Sequence, residues 1–306
     1  MSLLVTGSIG IDSVSTPHGD VAEVLGGSAV YFSWAAAAFC TVRLVGVVGE
    51  DFPAKFTKAF KHPRIDAAGL EKRQGSKTFR WSGRYDATMN EATTTAVDLN
   101  VLAERAPAVP KAFADSKVVF LAATHPGLQM ELLGQVKKPK LVISDTRDLW
   151  IRNYRDELIK SLKNIDGIVL NDAEARLLTG EVNLVKALTI IRKLIRKNGP
   201  QVVIVKKGEH GCLVAHGPDI FAMPAFPTHN VLDPTGAGDS FAGGLLGYLT
   251  GKGKFDVGTF KQAVAAGTVM ASFTIESFSL KGLQNAHKGK VAARLAHFRK
   301  MLTKGL

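Results

Sequence analysis

The sequence predicts an α/β protein with a doubly wound, mostly parallel sheet flanked by helices and a small antiparallel β lid standing off it. Three observations point there. Short, continuous runs of Val, Ile and Leu at 3–7, 118–122, 141–144, 168–170 and 202–205 suit strands buried on both faces. Helical patterns lie between them: 28–39 is Ala-rich, and 183–197 carries Leu184, Leu188, Ile191, Leu194 and Ile195 on one face. Residues 77–97 break the rhythm, being alternating, aromatic and Thr-rich, as antiparallel strands are.

Taken in chain order, 3–7 is the first buried strand, and the lid is expected from about 12–24 and 75–98 within one domain spanning 1–306. Phe79, Trp81 and Tyr85 fall on one face of the lid. They either stack on a ring of the ligand or bury the small sheet's apolar side; packing is expected for two of the three, and Trp81 is the candidate ligand contact. Pro234 and Gly236 mark a turn, and the small and apolar residues from there to Leu249 predict a helix. A small-residue helix follows at 263–272.

Composition bounds the function. At 306 residues, with 46% hydrophobic and 22% charged residues, the chain suits a globular enzyme rather than a disordered one. The longest apolar run, around 35–40, is too short to cross a bilayer, and no basic segment precedes the apolar N-terminal stretch, so a cytoplasmic protein without an export signal or membrane partner is expected. Cys40 and Cys212, far apart, read as reduced thiols. The net charge of +12 is uneven: after Glu276 there is no acidic residue, while Lys281, Lys288, Lys290, Arg294, Arg299, Lys300 and Lys304 are basic. Val291, Leu295, Phe298 and Leu302 recur at helical spacing among them, so an amphipathic helix with a solvated basic face accounts for the charge without nucleic acid. The diffuse positive field attracts phosphorylated ligands.

The residues that carry chemistry are concentrated in Asp233-Pro234-Thr235-Gly236-Ala237-Gly238-Asp239-Ser240. Unpaired amides at the start of the following helix make an anion site, and Gly236 and Gly238 let backbone approach a phosphate. Asp239 could accept a proton from a substrate hydroxyl; as a helix-capping Asp it would need no such run of glycines. Two other glycine motifs fail on spacing. A dinucleotide fingerprint needs Gly where Phe241 stands, and a Walker loop needs Gly where Leu246 precedes Gly251-Lys252.

This passage resembles the second sequence pattern of the ribokinase-like (pfkB-type) carbohydrate kinase family at every defined position, and further matches cover most of the chain. The resemblance implies a ribokinase-like fold and ATP-dependent transfer of a phosphoryl group to a sugar hydroxyl, with Asp239 as base and Gly236, Ala237 and Gly238 supplying the anion hole. Asn171-Asp172-Ala173-Glu174 resembles the NxxE element, implying Asn171 near the phosphates and Glu174 positioning Mg²⁺, although the same residues suit a helix cap. Lys206-Lys207-Gly208-Glu209-His210-Gly211 resembles the nucleotide loop, which implies Lys207, Gly208 and Gly211 at ATP. Thr235, Ala266 and Ser272 would complete the nucleotide site. On the acceptor side, Asp12 resembles the early Asp that binds sugar hydroxyls, and Gly26-Gly27-Ser28 the first glycine pair; Asp12, Gly26, Gly27, Ser28, Trp81 and Asp239 are thus the implied substrate contacts.

Two departures bear on the substrate. No Asn follows the glycine pair, where Ser28, Val30, Tyr31 and Ser33 stand instead, and Asp145-Thr146-Arg147 replaces the usual Asp-x-Asn. A nucleoside acceptor is the alternative within the family; a catalytically idle ligand-binding relative and a nucleic-acid binder are the remote ones. The resemblance also allows a homodimer through the lid.

Overall fold

A computed structural model describes residues 1–303; Lys304 lies outside them. The strands are β1 (Leu3–Thr6), β2 (Gly10–Thr16), β3 (Gly19–Gly26), β4 (Val42–Gly49), β5 (Ile65–Arg73), β6 (Phe79–Tyr85), β7 (Ala92–Asp98), β8 (Val118–Leu121), β9 (Leu141–Asp145), β10 (Gly167–Asn171), β11 (Val202–Lys206), β12 (Cys212–His216) and β13 (Asp219–Met223). The helices are α1 (Ser28–Ala37), α2 (Pro126–Leu133), α3 (Asp148–Asn153), α4 (Arg155–Leu162), α5 (Asp172–Thr179), α6 (Leu184–Leu194), α7 (Ala237–Lys252), α8 (Val257–Thr274), α9 (Lys281–Asn285) and α10 (Lys288–Thr303).

Nine strands form the main sheet in the order β13-β12-β11-β10-β9-β8-β1-β4-β5, parallel from β11 through to β5. Side-chain alternation divides the core. Leu3 and Val5 pack in one cluster with α1, α7 and α8, whereas Leu4 joins the cluster of α2, α4, α5 and α6 on the other face. The chain winds outward from β1 to β4 and β5, then returns to β8 on the other side of β1 and winds out to β11. That reversal leaves a crevice beyond the carboxyl ends of β1 and β8, where ligands of such sheets bind.

Four strands were not legible. β4 has strand composition, with Val42, Leu44, Val45, Val47 and Val48, but Gly46 splits its apolar run, a Cβ there standing 2.6 Å from Ile9 Cδ1, whereas β5 is rich in Ala and charge. β12 and β13 are an edge hairpin closed by Gly217-Pro218.

The lid consists of two antiparallel hairpins, β2–β3 and β6–β7, joined through a parallel central pair, β2–β6. On its inner face Phe79, Trp81 and Tyr85 alternate with the main domain below them. A Cβ at Gly83 would overlap the Trp81 indole, so that glycine makes room for the ring.

Helix α7 packs between α1 and α8. Its glycines allow this approach: a Cβ at Gly247 would lie 2.8 Å from Ala36 Cα, and one at Gly244 would lie 2.8 Å from Met270 Cγ. In α10, Val291, Leu295 and Phe298 are buried as the amphipathic pattern predicts. Two of its cations are structural: Arg294 lies over the Phe273 ring at 3.7 Å and pairs with Glu276, and Arg299 bonds the Tyr248 hydroxyl. Cys212 is buried and Cys40 half-buried, and both are free thiols. Among the described residues no helix is long and apolar enough to cross a membrane.

Candidate active site

A cavity of about 710 Å³ lies between the lid and the carboxyl ends of β1, β8, β9, β10 and β11. Of the residues singled out in the sequence, Asp12, Gly27, Ser28, Trp81, Asn171, Glu174, Thr235, Gly236, Gly238 and Asp239 line it. Gly26 lies just behind, and a Cβ there would overlap the Asp12 carboxylate.

Asp239 sits in the first turn of α7, which Gly236 opens at φ +77°. The Ala237 amide is not part of an anion hole, because it donates to Pro234 O at 3.0 Å. The amides of Gly236 and Gly238 have no backbone acceptor among the described residues, and the Asp239 amide turns to its own carboxylate, so the candidate hole rests on the first two. Burial raises the Asp239 carboxyl to about 7 and the neighbouring Asp145 charge adds to this, against the pull of Lys206 and Arg147. A carboxylate acts as a general base only when ionised. We therefore expect kcat/KM to fall about tenfold per pH unit as pH drops below about 7; a flat profile from pH 5.5 to 8 would contradict the assignment.

Asp12 is 4% exposed, and its Oδ1 has no hydrogen-bond partner among the described residues. Burial raises its carboxyl to about 7, the charges of Asp233 and Asp239 add to this, and the Gly27 amide pulls it back. A buried carboxylate oxygen without a partner, facing a cavity, is an acceptor awaiting a donor. Because the folded value lies above the unfolded one near 3.8, stability falls as pH rises between those values and stays level above about 7. Asp12→Asn removes that penalty. We expect it to raise the Tm of the ligand-free protein at pH 8 but not at pH 4, while acceptor KM rises about tenfold or more. Calorimetry at the two pH values, with kinetics, checks both halves.

Beneath Asp12, Ser8 and Ser28 exchange hydrogen bonds, Ser8 N to Ser28 Oγ at 3.0 Å and Ser28 N to Ser8 Oγ at 2.9 Å. They fix the end of β1 against the start of α1. Tyr31, 2% exposed, packs its ring against Gly236, and Thr235 donates to the Tyr85 hydroxyl at 3.3 Å, tying the lid to the catalytic turn.

On the other side, Asn171 and Glu174 form the capping box of α5, each side chain accepting from the other's amide at 2.7 Å. The capping and ligand readings are thus compatible, since the box locks Glu174 at the cavity wall. Burial, with Asp145 adding, raises the Glu174 carboxyl to about 7, against Lys206. Among the described residues no three His, Cys, Asp or Glu side chains gather into a metal cage. Two carboxylates sharing one lysine suit instead a hard cation that keeps its water and takes phosphate oxygens.

The lysine in the cavity is Lys206, not Lys207. Lys206 Nζ lies 3.4 Å from Asp145 Oδ2 and 2.7 Å from where a Cβ of Gly238 would stand. Burial lowers its ammonium, but Asp145, Glu174 and Asp239 outweigh this and raise it. Strand parity marks it: Val202 and Ile204 lie in the core cluster that holds α1, α7 and α8, and Lys206 continues that face. Asp145 follows Leu141 and Ile143 in the same way. Gly208 and Gly211 lie outside the cavity in the loop before β12, with Gly208 against Asn90 of the lid. Ala266 and Ser272 are also outside it. Ala266 packs on Gly244, and the Ser272 hydroxyl donates to Val269 O and accepts from Arg294.

A carboxylate at a helix terminus, two free amides and a lysine beside it suit the movement of a phosphoryl group onto an alcohol, and the protein is a phosphotransferase of that class. The chain belongs to the pfkB family of carbohydrate kinases, whose profile matches residues 5–285. It is similar to the cytidine kinase of Thermococcus kodakarensis, 29% identical over 260 residues that cover 82% of this chain and 90% of the relative. It is likewise similar to the inositol 3-kinase of Arabidopsis thaliana, 27% identical over 90% of this chain and 74% of the relative. Among solved structures, the nucleoside kinase of Burkholderia thailandensis in complex with inosine superposes with a TM-score of 0.76 at 21% identity, covering 96% of this chain and 98% of the other. The nucleoside kinase of Methanocaldococcus jannaschii gives 0.75 at 19% identity, covering 97% and 98%. These two likenesses concern the fold.

Proposed function

We propose that the protein transfers the γ-phosphoryl group of ATP to a hydroxyl of a small sugar, with Asp239 as the general base. The observation that carries this is the Asp239 carboxyl, raised to about 7 beside the free amides of Gly236 and Gly238. Asp12 accepts from the sugar's other hydroxyls and orients the ring. Lys206 and the two amides face the phosphates, and Trp81 forms a wall of the acceptor pocket. Mg²⁺, when bound with ATP, neutralises phosphate charge; Glu174 and Asn171, with Asp145 alongside, would hold its water shell. The nucleotide's base would lie beyond the cavity, towards Gly208, Gly211, Ala266 and Ser272.

A nucleoside acceptor is the second reading. Four aromatic rings, Tyr31, Phe79, Trp81 and Tyr85, line the acceptor end, more than a bare sugar needs, and a nucleobase stacks on such surfaces. ADP release with Mg-ATP and a panel of ribose, fructose, other hexoses, inositol, adenosine, inosine and cytidine decides between them. The sugar reading expects turnover on a sugar at least tenfold above that on any nucleoside; the reverse order replaces it with the second. No turnover on any compound, together with no ATP binding, removes the kinase. Pairing of two copies through the lid belongs to the same proposal: among the described residues the outer edge of β7 is unpaired and exposed, and sedimentation with and without a proline in that strand tests it.

A further inference from the structure

Among the described residues, the guanidinium groups of Arg84, Arg147 and Arg152 are the ones with neither a hydrogen bond nor an ion pair to the protein. Arg84 stands exposed on the lid. Arg147 and Arg152 line the cavity, whose other cation, Lys206, is already paired with Asp145. Both residues are exposed at the cavity wall. Arg147 stands two residues beyond the carboxyl end of β9, and its charge acts on Asp12, Glu174 and Asp239, groups on both sides of the cleft. Thr146, next to it, is 2% exposed, lines the cavity and has a hydroxyl without a partner among the described residues. An unpaired guanidinium beside an unpaired buried hydroxyl marks a place for an anionic group.

We propose, building on the kinase reading above, that Arg147 is a catalytic residue that holds the γ-phosphoryl group while it is transferred. In the step, the acceptor oxygen bonds to the γ-phosphorus as the bond from that phosphorus to the β–γ bridging oxygen breaks. The hydroxyl proton passes to Asp239, and the electron pair leaves with ADP. Negative charge on the equatorial oxygens meets the Gly236 and Gly238 amides on one side and the planar fork of Arg147 on the other. The guanidinium does not serve an anionic acceptor, because Asp12, Asp233 and Asp239 crowd the acceptor end and repel one.

The test compares wild type with Arg147→Ala, Arg147→Lys and, as a control for lost surface charge, Arg84→Ala, each checked for fold by circular dichroism. The probe is ADP with aluminium fluoride, a mimic of the phosphoryl group in flight, titrated in parallel with ADP alone. Arg147→Ala is expected to weaken binding of the mimic about 100-fold with ADP affinity within about threefold, and kcat is expected to fall by a similar factor with acceptor KM nearly kept. Arg147→Lys recovers little, since a point charge lacks the fork, and added guanidinium ion restores part of the Ala variant's rate. Arg84→Ala matches wild type. Unchanged affinity for the mimic overturns the proposal, and so does a rise in acceptor KM at constant kcat, which would assign Arg147 to the acceptor. If the wild type bound no ADP, the kinase reading itself would fall; if it bound ADP and the mimic equally well with and without Arg147, only this inference would.

Discussion

Asp239→Asn is expected to lower kcat about 10³-fold while leaving ADP affinity within about threefold of wild type. The amide has the shape of the carboxylate and keeps the first turn of α7, but it cannot take the acceptor's proton. Attack by a hydroxyl that keeps its proton builds positive charge on oxygen in a site whose remaining groups are arranged for negative charge, so the loss falls on turnover. The two phosphate-facing amides and Lys206 are untouched, so nucleotide binding survives. Asp239 is also raised by burial and by Asp145, a cost to the fold that the Asn does not carry. The inactive variant is therefore expected to melt higher than wild type above pH 7, a reversal that a structural role for Asp239 would not give. Steady-state kinetics, an ADP titration and one melting curve settle the three parts. A kcat within tenfold of wild type would take the base role away from this residue.

The second large effect is expected from Gly236→Ala, with kcat reduced by about 10²-fold or more. Two constraints meet at this position. The backbone is left-handed at φ +77°, which costs an L side chain about 1 kcal/mol, and the new methyl overlaps the ring of Tyr31. Tyr31, a residue of α1, is 2% exposed, so it has nowhere to go, and the turn must shift instead. A displacement of about 1 Å at the anion-hole amides is enough for a loss of this size. Gly238→Ala provides the contrast. There the methyl meets only the end of the Lys206 side chain, at 2.7 Å, and a flexible ammonium can move aside. The expected loss is about tenfold, and kcat values for the two variants, measured side by side, check the ranking.

Which features were legible in the sequence follows from how local their physics is. The catalytic turn is contiguous: glycines, base and helix start occupy one stretch, so 233–240 reveals its chemistry without the fold. The central strands were equally plain, because burial on both faces leaves continuous Val, Ile and Leu. Asp145 and Lys206 were missed as a pair because they meet only when β9 and β11 are placed in the sheet, 61 positions apart in the chain. Their shared parity was a usable clue for Lys206 over Lys207. The Ala237 amide was misassigned because its bond to Pro234 depends on turn geometry that the residue names do not specify. Ala266 and Ser272 show the converse problem: small residues serve tight helix packing and a flat ligand alike, and here they lie in the packing around α8. Arg147 stood out only as a departure from the family pattern until the structure placed it, unpaired, in the cleft.

The central claim is that the Asp239 carboxylate meets the attacking hydroxyl opposite the γ-phosphate. A crystal structure with an unreactive ATP analogue, Mg²⁺ and the acceptor identified by the panel tests it most directly. The account predicts a carboxylate oxygen about 2.6–3.2 Å from the acceptor hydroxyl, with that hydroxyl in line with the γ-phosphorus. An acceptor bound with its hydroxyl more than about 6 Å from Asp239, or a γ-phosphate seated away from the Gly236 and Gly238 amides, would contradict it.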